Sequence, residues 1–177
     1  MRLRLVSALA LLACTAALAG CAHHRRAGAA SAQAVLEARS GSAVHGTVTF
    51  LPVAGGLRVV ADVSGLTPGG LHAIHIHEKG DCSAADGSSA GGHYNPDGHP
   101  HGGPGDAQRH AGDLGNLFAD ATGHASYDRV FPDLTIDGAH HPIAGLSVIV
   151  HKGEDDLRTQ PTGNAGGRIA CGVITPR

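Results

Sequence analysis

The chain has 177 residues, 13 Lys and Arg against 15 Asp and Glu, a formal net charge of −2, and 42% apolar residues. That size suits one domain with a proper core, and slight acidity without a basic run gives nucleic acid no electrostatic foothold. With no Trp and only 2 Tyr and 3 Phe, the core must be built from Val, Ile, Leu and Ala.

The chain opens on the basic Met1-Arg2-Leu3-Arg4, continues through an apolar stretch from Leu5 to Ala19, and reaches Leu18-Ala19-Gly20-Cys21. This is the pattern of a secretory signal, too short for a stable membrane span. Leu-Ala-Gly-Cys is similar to the bacterial lipobox, so residues 1–20 are expected to leave as a lipoprotein signal peptide and Cys21 to carry lipid; an ordinary signal with an incidental Cys is the plainer alternative. Residues 21–32, polar and Ala-rich around His23-His24-Arg25-Arg26, read as a flexible tether. The expected location is outside the cytoplasm, anchored to a membrane on its periplasmic or outer face. Cys14 leaves with the signal and Cys21 is acylated, so Cys82 and Cys171 remain. In an exported protein this even remainder reads as a disulfide rather than as two buried thiols.

From residue 33 to residue 177 the chain forms one domain of short β-type runs at 34–39, 43–51, 57–64, 71–78, 115–119, 124–131, 146–151 and 168–174, separated by Gly, Pro, Asn and Asp. Eight strands with no helical period predict an all-β fold, an eight-stranded antiparallel Greek-key barrel or sandwich. Two connections, 80–112 and 151–167, are too long for hairpins, and long loops in compact β domains are usually functional.

Within 71–78, alternation puts His75 and His77 on one strand face and Ile74 and Ile76 on the other, a two-toothed clamp from which His72 is turned away. The stretch from His93 to Asp113 holds His93, His99, His101 and His110 among Gly and Pro. It has no apolar period with which to offset its ordering entropy, so a bound cation is the expected support. Imidazole and carboxylate are ligands that zinc accepts. The run 146–151 ends in a third candidate, His151.

These segments together resemble copper/zinc superoxide dismutase, in its exported bacterial form. The resemblance rests on Gly70-Leu71-His72-Ala73-Ile74-His75-Ile76-His77-Glu78, Gly92-His93-Tyr94-Asn95-Pro96, His101-Gly102-Gly103-Pro104 with Arg109-His110-Ala111-Gly112-Asp113-Leu114-Gly115-Asn116, and Gly163-Asn164-Ala165-Gly166-Gly167-Arg168-Ile169-Ala170-Cys171-Gly172-Val173-Ile174. It implies one copper held by His75, His77, His93 and His151, and one zinc held by His93, His101, His110 and Asp113. His101 is preferred to His99 because of the adjoining Gly-Gly-Pro and the nine-residue step to His110. Copper changes oxidation state with imidazole ligands, whereas zinc has no redox chemistry and suits a fixed site.

The implied reaction is dismutation of superoxide to oxygen and hydrogen peroxide by Cu(II)/Cu(I) cycling, with His93 bridging the metals and taking up a proton. Asp155 is implied to orient His75 and His101, Arg168 to receive the substrate anion, and Thr162 to narrow the channel. Lys79 is expected to add positive field at the mouth, and 151–162 is shorter than the corresponding eukaryotic loop. Members of this family include monomers and homodimers, and neither state is marked here. A protein of the same fold that holds or delivers copper and zinc without turnover is the competing expectation; such a binder could lose Arg168 or a copper ligand, and this chain has both.

Overall fold

The computed structural model describes residues 31–177, so the signal segment, Cys21 and most of the expected tether lie outside the described residues. Eight strands follow in order: β1 Ala32–Ala38, β2 His45–Val53, β3 Gly56–Ser64, β4 Leu71–His77, β5 Asp113–Phe118, β6 Ala125–Phe131, β7 Ser147–His151 and β8 Arg168–Pro176. All neighbours pair antiparallel in the order β5-β4-β7-β8-β1-β2-β3-β6, a nearly closed barrel with the expected all-β, eight-stranded architecture. The seam between β5 and β6 is bridged by Tyr127 on β6, whose hydroxyl donates to the Leu114 carbonyl on β5 at 2.7 Å.

Alternation decides what lies inside. Val48 and Phe50 on β2, Leu57, Val59, Ala61 and Val63 on β3, Ile74 and Ile76 on β4, and Val148 and Val150 on β7 join one buried cluster. This is the small-aliphatic core the composition required, and its burial supplies the apolar driving force.

The two long connections, 80–112 and 151–167, pack over the opposite face of β4 and β7. The first continues the sheet briefly: Glu78 and Tyr94 donate their amides to Gly92 and Ile76 carbonyls at 2.9 Å each, making a bridge that sets His93 opposite His77. The Gly112 amide donates to Tyr94 at 2.9 Å, and a Cβ on Gly112 would collide with the Ile76 carbonyl, so only glycine allows this approach. Cys82 and Cys171 form a disulfide with Cα atoms 5.7 Å apart, tying the first loop to β8.

Candidate metal centre

Three pairings assemble the centre. His75 lies opposite Asp113 after a bulge in the β4/β5 ladder, His77 opposite His93, and His151 opposite Arg168 after a bulge in the β7/β8 ladder. Bulges of this kind re-aim side chains beside functional sites. The first also starts β5 at Asp113, two residues before the run read from sequence.

The result is two donor sets that share one residue. His75, His77, His93 and His151 form one, His93, His101, His110 and Asp113 the other; every member is buried, and within each set one ligand atom per residue lies within 4.8 Å of the others. His72, of opposite parity, belongs to neither; its Nδ1 faces the His151 carbonyl at 3.0 Å while its Nε2 accepts the Thr67 amide at 3.2 Å.

Hydrogen bonds show which ring atoms point inward. His77 and His151 spend Nδ1 on the Gly91 and Gly166 carbonyls, at 3.0 and 3.2 Å, and turn Nε2 toward each other at 3.4 Å. His75 spends Nε2 on Asp155 Oδ2 at 2.8 Å, leaving a buried Nδ1 with no hydrogen-bond partner. His93 faces both ways: Nδ1 is 3.0 Å from Asp113 Oδ1, and Nε2 is buried without a partner. His101 gives Nε2 to Asp155 Oδ1 at 2.8 Å. Its Nδ1 lies 3.0 Å from Asp113 Oδ1 yet out of line for a hydrogen bond, a contact of position without direction.

Asp113 is built to present one oxygen. Its Oδ2 accepts the Gly102 and His110 amides at 3.1 and 3.0 Å, which leaves Oδ1 at 3.0, 3.0 and 3.3 Å from Nδ1 of His93, His101 and His110. Ligands about 2.0–2.1 Å from a common tetrahedral zinc stand about 3.3–3.4 Å apart. Nδ1 of His93 and His110 are 3.4 Å apart, so the His3Asp set fits that ion. The all-imidazole set, with orphaned nitrogens on His75 and His93, has the donors copper accepts.

Burial dominates the electrostatics of the imidazole set. It lowers His75 to about 4 against the opposing Asp155 hydrogen bond, lowers His151 to about 3 with the help of neighbouring rings, and holds His77 well below the usual range. Those rings are neutral, the state in which imidazole binds metal. Burial also acts on His101, but the two carboxylates beside it, Asp113 at 3.0 Å from Nδ1 and Asp155 hydrogen-bonded at Nε2, outweigh it and raise His101 to about 9. His101 and His75 share Asp155, yet move in opposite directions: burial prevails at His75, with His93 adding to it, whereas Asp113 and Asp155 prevail at His101. Burial opposes ionisation of Asp113 and Asp155 too, but the neighbouring histidines, His101 foremost, hold both well below the carboxylate range.

Arg168 donates Nη1 to the Gly87 carbonyl at 2.7 Å and Nη2 to the Gly91 carbonyl at 2.6 Å. The Gly91 carbonyl also accepts from His77, so the guanidinium is fixed one atom away from the imidazole set. Its charge helps keep His77 and His151 neutral. Lys79 is exposed after β4, where its charge reaches Asp81, and Thr162 is exposed on the second loop. His99 lies outside both donor sets, its backbone bracketed by Asn95.

Several supporting residues carried no signal of their own in the sequence. Asn116 brackets the backbone of Asp155, accepting its amide at 2.8 Å and donating to its carbonyl at 2.9 Å. Arg109 is buried, pairs with Asp133 at 2.8 Å, and donates to the His110 and Ala111 carbonyls at 2.7 and 3.1 Å. His141, which fits no motif and reads as a surface residue, is half-buried between Asp97 at 2.9 Å and Asp133 at 3.8 Å.

An eight-stranded antiparallel barrel carrying two donor sets joined through one histidine is a β protein with the donors to hold two metal ions side by side. The chain belongs to the copper/zinc superoxide dismutase family, whose model matches residues 44–174. It is 42% identical over 151 residues to a Cu-Zn superoxide dismutase of Paramecium bursaria Chlorella virus 1, covering 81% of this chain and 77% of that protein. It is 43% identical over 138 residues to the copper chaperone for superoxide dismutase of Rattus norvegicus, covering 74% of this chain but 48% of the chaperone, about half its length. Among solved structures, the crystal structure of the clock protein EA4 superposes with a TM-score of 0.78 at 39% identity, covering 88% of this chain and 99% of that one.

Proposed function

We propose that the protein is a superoxide dismutase, with copper held by His75, His77, His93 and His151 and zinc by His93, His101, His110 and Asp113. The observation that carries this reading is the shared His93, buried with Nδ1 in one donor set and an orphaned Nε2 facing the other. Bound copper supplies a one-electron acceptor for one superoxide and a donor for the next, which with two protons gives oxygen and hydrogen peroxide.

The chain's own residues do the rest. Arg168, permanently charged and fixed by two carbonyls, keeps its remaining donors for the incoming anion. Nε2 of His93 is the atom that can hold and release a proton in the interior. Asp155 keeps the rings of His75 and His101 in register, and such partners commonly change metal affinity about 10–100-fold. Replacing Arg168 with glutamine should lower the low-salt rate of superoxide consumption by roughly tenfold and flatten its salt dependence, whereas Arg168→Lys should keep the salt dependence. Equal rates in all three proteins, followed by pulse radiolysis, would remove Arg168 from anion capture.

A pH effect follows from His101. Raised to about 9, it carries two protons at neutral pH in the metal-free protein, and zinc at Nδ1 must expel one while Nε2–H stays on Asp155. Zinc loading at pH 7 should release about one proton from this residue, the release fading above about pH 9, and affinity should fall as pH drops. Calorimetric titrations in two buffers of different ionisation enthalpy measure this; no release at pH 7 would mean that His101 is already neutral before zinc binds.

The same reading includes export, removal of residues 1–20 and lipid on Cys21. Ala32 pairs with Pro176, at the far end of β8 from Arg168. Eight strand steps of about 3.3 Å separate those ends by roughly 26 Å, so the chain enters the barrel well away from Arg168. The alternative, a protein that holds or delivers copper and zinc without turnover, is favoured by the 43% identity to a copper chaperone. Turnover by the metal-loaded chain separates the two.

A further inference from the structure

Three side-chain amides near the centre each bracket the backbone of one residue: Asn95 that of His99, Asn116 that of Asp155, and Gln160 that of His101. Gln160 is the one among them that joins the two long loops. Its Oε1 accepts the His101 amide at 2.7 Å and its Nε2 donates to the His101 carbonyl at 2.8 Å, across 59 residues of sequence. An amide offers an acceptor and a donor about one peptide apart, so the side chain acts as a one-residue strand partner. Opposite partners on its two ends also leave only one sensible orientation.

The geometry around Gln160 makes the contact more than incidental. The segment from Asp155 to Gly163 is closed on itself: Gly163 accepts the Asp156 amide at 2.9 Å and donates its own to Thr159 at 2.7 Å. Gly163 has φ +66°, and a Cβ there would strike both the Asp155 carboxylate and the His101 ring. This compact unit therefore meets His101 twice, at the ring through Asp155 and at the peptide through Gln160. A ring anchored at Nε2 alone can still swing with its own peptide, whose amide and carbonyl are held by Gln160 while Asp113 and Asp106 hold the Gly102 and Gly103 amides that follow.

We propose that Gln160 is a positioning residue: by clamping the His101 peptide to the second loop, it keeps His101 Nδ1 beside Asp113 Oδ1, at 3.0 Å, before any metal arrives. The proposal rests on the assignment of His101 to zinc. It gives the second long loop a further task, that of a latch on the zinc donor set.

The test uses the full chain, Gln160→Ala and Gln160→Glu. Glutamate keeps an acceptor for the His101 amide but loses the donor and sets a charge against the carbonyl. In the metal-free proteins, amide exchange at His101 should be about tenfold faster in Gln160→Ala, with the melting temperature nearly unchanged. In the zinc-loaded proteins, release to a chelator should be about tenfold faster in both variants, and cobalt placed in that site should show an altered visible spectrum. Unchanged exchange and unchanged release in Gln160→Ala would overturn the clamp, as would a Gln160→Glu protein that releases zinc at the original rate. A lowered melting temperature with zinc release and the cobalt spectrum unmoved would reduce Gln160 to general support and also overturn it. Failure of the unsubstituted chain to bind zinc would refute the ligand assignment instead, and exchange at His101 would still decide whether Gln160 holds that peptide.

Discussion

Replacing His93 with alanine should empty both donor sets at once. Its ring offers Nδ1 to the set containing Asp113 and Nε2 to the set containing His75, and both atoms are buried. Loss of a partner that merely orients a ligand costs about 10–100-fold in metal affinity, so loss of a shared ligand should exceed about a hundredfold for each ion. Metal content by mass spectrometry after loading and dialysis is the measurement. His110→Ala provides the comparison, since His110 belongs to one set alone and should spare copper. If His93→Ala retains either metal with its original affinity, the bridging role is wrong.

The second large effect is on stability. The Cys82–Cys171 bond closes a loop across 89 residues, for which the chain-entropy estimate is about 4–5 kcal/mol. The consequence reaches the site, because the loop from Cys82 carries Gly87 and Gly91, whose carbonyls hold Arg168. Arg39 adds a second tie, donating Nε and Nη2 to the Cys82 carbonyl at 2.9 and 2.7 Å. Substituting both cysteines with serine should therefore lower the denaturation midpoint by an amount equivalent to about 4 kcal/mol and should loosen Arg168 before it disturbs the strands. Chemical denaturation of the two metal-free proteins, followed by circular dichroism, reads the first effect. Equal midpoints would mean that β8 and the rest of the barrel already hold the loop.

Much of the barrel was legible because short β-branched runs between Gly, Pro, Asn and Asp make strands in many contexts. Parity alone put His75 and His77 on one face of β4, and His72 on the other. The start of β5 at Asp113 was not legible, since it depends on Gly112 passing close to the Ile76 carbonyl, a contact between distant segments. The placement of His93 opposite His77 is likewise long-range and has no periodic trace.

Spacing named histidines but could not say which ring nitrogen points inward. That choice is made by the Gly91 and Gly166 carbonyls and by Asp155, which belong to other loops. Family resemblance proposed Asp155 as a partner of His75 and His101, and hydrogen bonds to both rings are present. Gln160 escaped notice because a polar residue in a polar loop differs from its neighbours only once the fold brings His101 to it. His141 passed as a surface residue for the same reason, its carboxylate partners lying 44 and 8 residues away in a chain that folds them together.

The most direct test is metal stoichiometry together with superoxide consumption for residues 21–177 carrying Cys21→Ser, before and after loading with copper and zinc. One copper and one zinc per chain, with rapid turnover that appears only when copper is present, is the predicted result. Both metals bound without turnover would contradict the enzyme and favour a holding or delivery protein, and zinc alone would contradict the copper site built from His75, His77, His93 and His151.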